Sequence, residues 1–286
     1  MDIKKVTIVG LGLIGGSLAK SIKKSYKDIK IYGYNRSDEP RILAFNDEVI
    51  ESAKNPSLEE IGSSDVVVLC LPVQVNAKFL EGLKPYLSKD TILTDVGSVK
   101  SDITNAIREK SLLNQFIGGH PMAGSEKSGY INSTDSLLEG APYILTVDES
   151  VPAEKSEMFM KFIEGIGSKP LIMNQVSHDK AVAAISHLPH VLSFSYAGFI
   201  ADMNMSEILS EITAGSYRDM TRIALSDPQM WQEIFISNRD EILKSMDLYQ
   251  EEFNKLRKLI EDSNYEAIFE YIKTAGSYQS ENFKRK

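Results

Sequence analysis

The first apolar run of the chain, Val6–Val9, stops at Gly10-Leu11-Gly12-Leu13-Ile14-Gly15, and a helical stretch, Ser17–Lys24, follows at once. Few features restrict a fold more. A strand that turns directly into a helix through G-x-G-x-x-G divides three tasks among its glycines. Gly10 permits the tight turn, Gly12 lets backbone N–H groups approach a pyrophosphate, and Gly15 lets helix and strand pack closely. The motif alone is weak, but its setting between a β-run and a helix assigns a dinucleotide site to the backbone of Gly10, Gly12, Leu13, Ile14 and Gly15.

The rest of the first half repeats the rhythm. Apolar runs at Ile29–Tyr34, Asp65–Leu71, Thr91–Asp95, Phe116–Gly118, Pro142–Val147 and Leu171–Met173 alternate with amphipathic segments. That alternation predicts an α/β fold, a Rossmann-type doubly wound, mainly parallel sheet covered by helices on both faces. From about Gln175 the strand signals stop, and helix follows helix with breaks near Asn204 and at Asp227-Pro228. We therefore expect a dinucleotide-binding domain over residues 1–174 and an all-α domain over residues 175–286. Val191–Met203 is apolar on nearly every face, which suits a central buried helix or a subunit interface. In one long segment from Pro228 to about Asp262, Ile242, Met246, Tyr249, Phe253, Leu256 and Ile260 alternate spacings of four and three, the seam of helices packed at a shallow angle. An intrachain helix pair or a homodimer through the helical domain would use it.

Composition excludes several classes. The 286 residues carry 32 basic and 40 acidic side chains, a net charge of −8, with the basic residues scattered. Nucleic acid and anionic membrane surfaces are thus not expected partners. No apolar run approaches the ~20 residues of a membrane span, and the start, MDIKKVTIVG, lacks a signal-peptide core, so a cytoplasmic protein is expected. The one cysteine, Cys70, lies in VVVLCLP and reads as a buried inert thiol.

Cofactor choice should be written at the end of the second strand, where an acidic residue normally receives the adenosine ribose. Here stand Asn35, Arg36 and Ser37. Asn35 removes the charge that would repel a 2′-phosphate, and Arg36 and Ser37 can donate to it, which favours NADP over NAD. The carboxyl ends of later strands supply Leu71-Pro72 and Asp95-Val-Gly-Ser98-Val-Lys100 at the crevice where such sheets bind ligands. Ser98 could touch nicotinamide or substrate, while Asp95 and Lys100 read equally as capping and surface groups. FIGGHPMAGSEKSG, residues 116–129, puts His120 in a turn of glycine, proline and small polar residues at the same crevice. An imidazole there is a candidate general base. In Ser186-His187-Leu-Pro-His190, His187 either caps structure or meets a ligand, and Arg222 either pairs with Asp219 or awaits a carboxylate. His178, His187 and His190 lack metal-ligand spacing, so no metal is expected, and without G-x-S-x-G a serine-hydrolase reading fails.

VGLGLIGGSLA, DVGSVK, GGHPMAGSEKSG, SHLPHVLSF and DMTRIALSDPQMW stand in an order that resembles the prephenate dehydrogenases of tyrosine biosynthesis along almost the whole chain. The pairing of GGHPMAGSE with SHLPH carries most of that resemblance. It implies oxidation of prephenate, a dicarboxylate, by NAD or NADP with loss of CO2 to 4-hydroxyphenylpyruvate. It also implies His120 as acceptor of the ring hydroxyl proton, Ser98 orienting His120 and the nicotinamide, Arg222 on a substrate carboxylate, His187 at the substrate's other end, and Glu126 at the pocket mouth. An arogenate or dual-specificity cyclohexadienyl dehydrogenase is the near alternative. A non-catalytic NADP-binding sensor is the remote one.

Overall fold

The computed structural model describes residues 3–125, 127–203 and 206–283. Glu126 therefore lies outside the described residues, as do residues 204 and 205, where a helix break is expected. Seven strands form one sheet: β1 (Lys5–Val9), β2 (Lys30–Tyr34), β3 (Val66–Leu69), β4 (Ile92–Asp95), β5 (Phe116–Pro121), β6 (Pro142–Val147) and β7 (Lys169–Ile172). Their order is β2-β1-β3-β4-β5-β6-β7. Every pairing is parallel except β5 with β6. Because β2 and β3 lie on opposite sides of β1, the order reverses there and opens a crevice at the carboxyl end of β1.

The central strands β1 and β3 read as apolar runs because both faces are covered. In β3, Val66 and Val68 join one core with Leu18, Ala19 and Ile22 of α1 (Leu13–Ser25), while Val67 and Leu69 turn to the other. Two short helices, α2 (Glu39–Asn46) and α3 (Leu58–Gly62), precede β3. The second core holds Leu80 and Leu83 of α4 (Val73–Leu83) with Ile103 and Ile107 of α5 (Ser101–Glu109). Phe159, Phe162 and Ile163 of α6 (Ala153–Gly165) complete the first.

The fifth strand is longer than Phe116–Gly118, and His120 lies in it rather than in a turn. Pairing with β4 covers only Phe116 and Ile117, but antiparallel β6 carries the ladder on through His120, opposite Ile144, and Pro121, opposite Tyr143. One edge of His120 is thus paired, and the other is left clear beyond the end of β4.

The remaining helices are α7 (Gln175–Val182), α8 (Leu188–Asp202), α9 (Ser206–Ile212), α10 (Gly215–Thr221), α11 (Pro228–Ser237), α12 (Arg239–Glu261) and α13 (Tyr265–Asn282). A π-helical turn, Ala183–His187, joins α7 to α8. The chain forms two compact units, one ending at Asn238 and the other beginning at Arg239. In the second, α12 packs on α13.

Two expectations change here. The segment from Pro228 is two helices rather than one, since Asn238 leaves helical geometry and turns its amide inward to the Asp179 carbonyl, 2.8 Å away. Within the single chain α8 is not enclosed: Ser193 is its one buried residue, and Phe199 is 57 % exposed. Among the described residues no helix is long and apolar enough to cross a membrane.

Candidate active site

The glycine turn has the geometry its sequence requires. Gly10 takes φ +107°, and a Cβ there would lie 2.8 Å from the Cys70 carbonyl oxygen and the Leu71 side chain. A Cβ on Gly15 would fall 2.0 Å from the Gly10 oxygen, whereas one on Gly12 would meet nothing within 4 Å. Gly12 is also the N-cap of α1, which has no side-chain cap and no acidic residue in its first turn. That end of the helix accordingly offers N–H groups and positive potential to open space, which fits a pyrophosphate. Asn35 reaches the same turn, accepting from the Leu11 N–H at 3.1 Å, and its amide donates to Ser37 at 3.0 Å. Arg36 and Ser37 are exposed beside it. Leu71 touches the turn, and Pro72 starts α4. Cys70 is half-buried rather than buried, and burial of its thiol pushes its pKa up, which keeps it protonated and inert.

At the carboxyl edge three buried groups form a chain. His120 Nδ1 lies 2.8 Å from His178 Nε2, and His178 Nδ1 lies 2.7 Å from Asp179 Oδ1. Asp179 Oδ1 also accepts from the Lys100 N–H at 2.8 Å, and Oδ2 accepts from the Ser101 N–H at 2.9 Å and from the Ser101 hydroxyl. Burial opposes ionisation of Asp179, but the bonds from His178, Ser101 and Lys100 together hold its carboxyl below the usual range.

The bonding pattern assigns the protons. With His178 uncharged, its Nδ1–H donates to the carboxylate, so its Nε2 accepts. His120 Nδ1 must then carry hydrogen and donate, which leaves the lone pair on Nε2. Among the described residues nothing hydrogen-bonds that nitrogen. The imidazole of His120 is held well below its ordinary pKa, first by burial, then by the charge of Lys100 and by its imidazole neighbours His178 and His187, with Asp179 opposing. It is therefore an uncharged base.

Asp95 and Lys100 are not surface groups, and although Lys100 stands at the N-cap of α5 its side chain makes no capping bond. Both are fully buried and paired to each other below His120. Ser98 sits half-buried on the loop between them, and among the described residues no hydrogen bond joins it to His120; His178 fills that place. His187 is interior, its Nδ1 3.1 Å from the Asn238 amide, and burial pushes its pKa down to about 4. The second histidine of SHLPH is the more open one. His190 stacks on Trp231, ring centroids 3.6 Å apart, and its pKa is lowered by burial and by the charge of Arg222, against the pull of its bond to the Ser186 carbonyl. Arg222 is exposed, and among the described residues it pairs with no carboxylate, Asp219 included.

His178, Asp179, His190, Trp231 and Asn238 are thus site residues that sequence reasoning passed over. One signal for the first two was present. The buried residues of α7 include His178, Asp179 and Val182, and Ala183 follows buried, so an adjacent His-Asp pair occupies the face of the helix that apolar residues mark as inner.

Two family models match the chain: "Prephenate dehydrogenase, nucleotide-binding domain" over residues 18–172 and "Prephenate dehydrogenase, dimerization domain" over residues 174–274. A prephenate dehydrogenase from Bacillus subtilis is 34 % identical over 96 % of this chain and 75 % of the relative. A cyclohexadienyl dehydrogenase from Zymomonas mobilis is 31 % identical over 94 % of this chain and 93 % of its own. The crystal structure of prephenate dehydrogenase from Aquifex aeolicus, solved with hydroxyphenyl propionate and NAD+, superposes with a TM-score of 0.91 at 33 % identity, covering 98 % of this chain and 99 % of that one.

Proposed function

Since the chain belongs to the prephenate dehydrogenase family, a family of NAD(P)-dependent oxidoreductases, we propose that it converts prephenate to 4-hydroxyphenylpyruvate and CO2 with His120 as proton acceptor. The observation that carries this reading is the chain His120–His178–Asp179, which leaves Nε2 of a buried, uncharged imidazole as the free base at the carboxyl edge of the sheet.

The glycine turn, the N-terminus of α1 and Asn35 would hold the dinucleotide, which when bound takes up the hydride that leaves the ring carbon. His120 Nε2 accepts the proton of the hydroxyl on that carbon. The imidazolium so formed keeps its Nδ1–H on His178, and Asp179 lies behind as counter-charge. Asp179 stays ionised throughout because its four donors favour the carboxylate. Loss of the ring carboxylate as CO2 then makes the ring aromatic, which drives the reaction forward. Arg222 binds a substrate carboxylate, with His190 beside it. His187 supports the site from inside, and Ser98 lines it.

Exposed Arg36 and Ser37 next to an uncharged Asn35 support acceptance of a 2′-phosphate, so NADP is used at least as well as NAD. The similarity to a cyclohexadienyl dehydrogenase supports a second reading, in which arogenate is oxidised as well. Residues 1–174 would serve the dinucleotide, and residues 175–286 the substrate and a homodimer, with outward Phe199 and Leu225, 78 % exposed, as apolar surface for a second copy. Cytoplasmic placement belongs to the same proposal.

Steady-state rates with prephenate and arogenate against both cofactors test it. Turnover of prephenate is expected, with one CO2 per reduced cofactor, and His120→Asn should lower kcat roughly 10²-fold or more with cofactor affinity retained. No turnover of prephenate with either cofactor overturns the proposal. A monomer by sedimentation at micromolar concentration overturns the dimer.

A further inference from the structure

The buried pair Asp95–Lys100 takes no part in the chemistry just described, yet it is built around the residue before His120. Asp95 Oδ1 accepts from the Gly119 N–H at 3.0 Å, and Lys100 Nζ donates to the Gly119 carbonyl at 2.6 Å and to Asp95 Oδ2. Oδ2 also accepts from the Gly97 N–H at 2.9 Å. Gly119 is therefore gripped at both its backbone polar groups, on the edge of β5 that β4 no longer covers. The two glycines of GGHP have a reason here. A Cβ on Gly118 would sit 3.3 Å from Lys100 Cδ and 2.3 Å from the Thr146 hydroxyl, and one on Gly119 only 2.4 Å from the Asp95 carbonyl oxygen. Small residues let the lysine stem lie along the strand. Lys100 also acts through its own backbone, since its N–H is one of the donors to Asp179 at the far end of the imidazole chain.

A wholly buried ion pair is a poor device for stability. Desolvating an ammonium and a carboxylate costs several kcal/mol each, and apolar residues of the same volume usually serve as well. We propose that Lys100, held by Asp95, is a positioning residue for the proposed reaction: it fixes the main chain that carries His120, and its charge keeps that imidazole in the uncharged, proton-accepting form.

The groups facing the ring are few. Lys100 comes from the loop after β4, His178 and Asp179 from α7, and His187 from the π-helical turn; among them Asp179 alone favours the charged imidazole. Lys100 is the cation that opposes protonation of His120, and Asp95 is bonded to it. Burial outweighs Asp95 and Asp179 and holds the Lys100 pKa below that of a free lysine, while its bonds to the Asp95 carboxylate and the Gly119 carbonyl are those an ammonium makes.

This inference rests on His120 being the base, and its test reads the imidazole directly in the free enzyme. Four histidines make the ring signals assignable by single substitutions in protein labelled at histidine Cε1. In Lys100→Met the His120 titration should move up by roughly one pH unit, and the acid limb of kcat/KM with prephenate should move with it, while KM for the cofactor stays put. Asp95→Asn/Lys100→Met removes both charges, so that no buried carboxylate is left unpaired, and should show a shift in the same upward direction if the single variant does not fold. An unchanged His120 titration in the variant that folds overturns the inference, even if activity falls. Absence of prephenate turnover by the unaltered enzyme would instead overturn the proposed function.

Discussion

Replacing His178 by leucine removes the link between His120 and Asp179 while leaving the carboxylate three donors, the Lys100 N–H, the Ser101 N–H and the Ser101 hydroxyl. No buried charge is stranded, so the fold should survive. What is lost is the acceptor 2.8 Å from His120 Nδ1. Without it the ring is free to place its proton on Nε2, where the lone pair is needed, and the imidazolium formed in the transition state loses a bond to a charged group. Such bonds are worth about 1.5–3 kcal/mol, which converts to a fall in kcat of roughly 10- to 150-fold at about 1.4 kcal/mol per decade. His178→Gln should recover part of the loss, because its amide oxygen can accept from His120 Nδ1. Steady-state kinetics with saturating cofactor, beside a direct measurement of cofactor Kd, separates this from general damage: kcat should fall in Leu, rise again in Gln, and Kd should hold in both. A leucine variant with kcat within twofold of the parent would refute the proton assignment, and so would a glutamine variant no better than leucine.

Gly12→Ala should weaken NAD(P) binding while changing stability by less than about 0.5 kcal/mol, because the new methyl meets no protein atom; Gly15→Ala, whose methyl would collide with the Gly10 oxygen, should cost about 1–3 kcal/mol in urea unfolding. His187 is uncharged in the fold down to about pH 4, against about 6.5 in the unfolded chain. Between those values the unfolded state binds more protons, so stability falls on acidification by about 3 kcal/mol from this residue and is level above pH 6.5. A His187 ring titrating near 6.5 by NMR would contradict this. Arg222→Lys should raise KM for prephenate about tenfold or more with cofactor KM unchanged, as a point charge replaces a planar fork; equal rises in both constants would argue against a substrate carboxylate at that position.

The sheet and the glycine turn were legible in the residues alone. Seven apolar runs became seven strands; in the central ones, such as β3, coverage on both faces demands apolar residues along the length, and that pattern is local. The roles of Gly10, Gly12 and Gly15 were legible for the same reason: each depends on a turn within six residues. His120 could be singled out because glycine and proline give an imidazole no ordinary reason to be there. What it does with its two nitrogens could not be read, because the partner that fixes them stands 58 residues away, on helix α7. Separation in sequence hid Asp95 and Lys100 as well, 24 and 19 residues from Gly119. At the two ends of DVGSVK they look like any pair of surface charges, and only in the folded chain do both bond to Gly119 of β5. His187 and His190 are three residues apart, and which of them is interior depends on the π-helical turn and on Trp231, more than forty residues downstream. Period, turn chemistry and motif are properties of neighbours in sequence. Burial, tautomer and pairing of charge belong to neighbours in space, and the tertiary structure alone decided them.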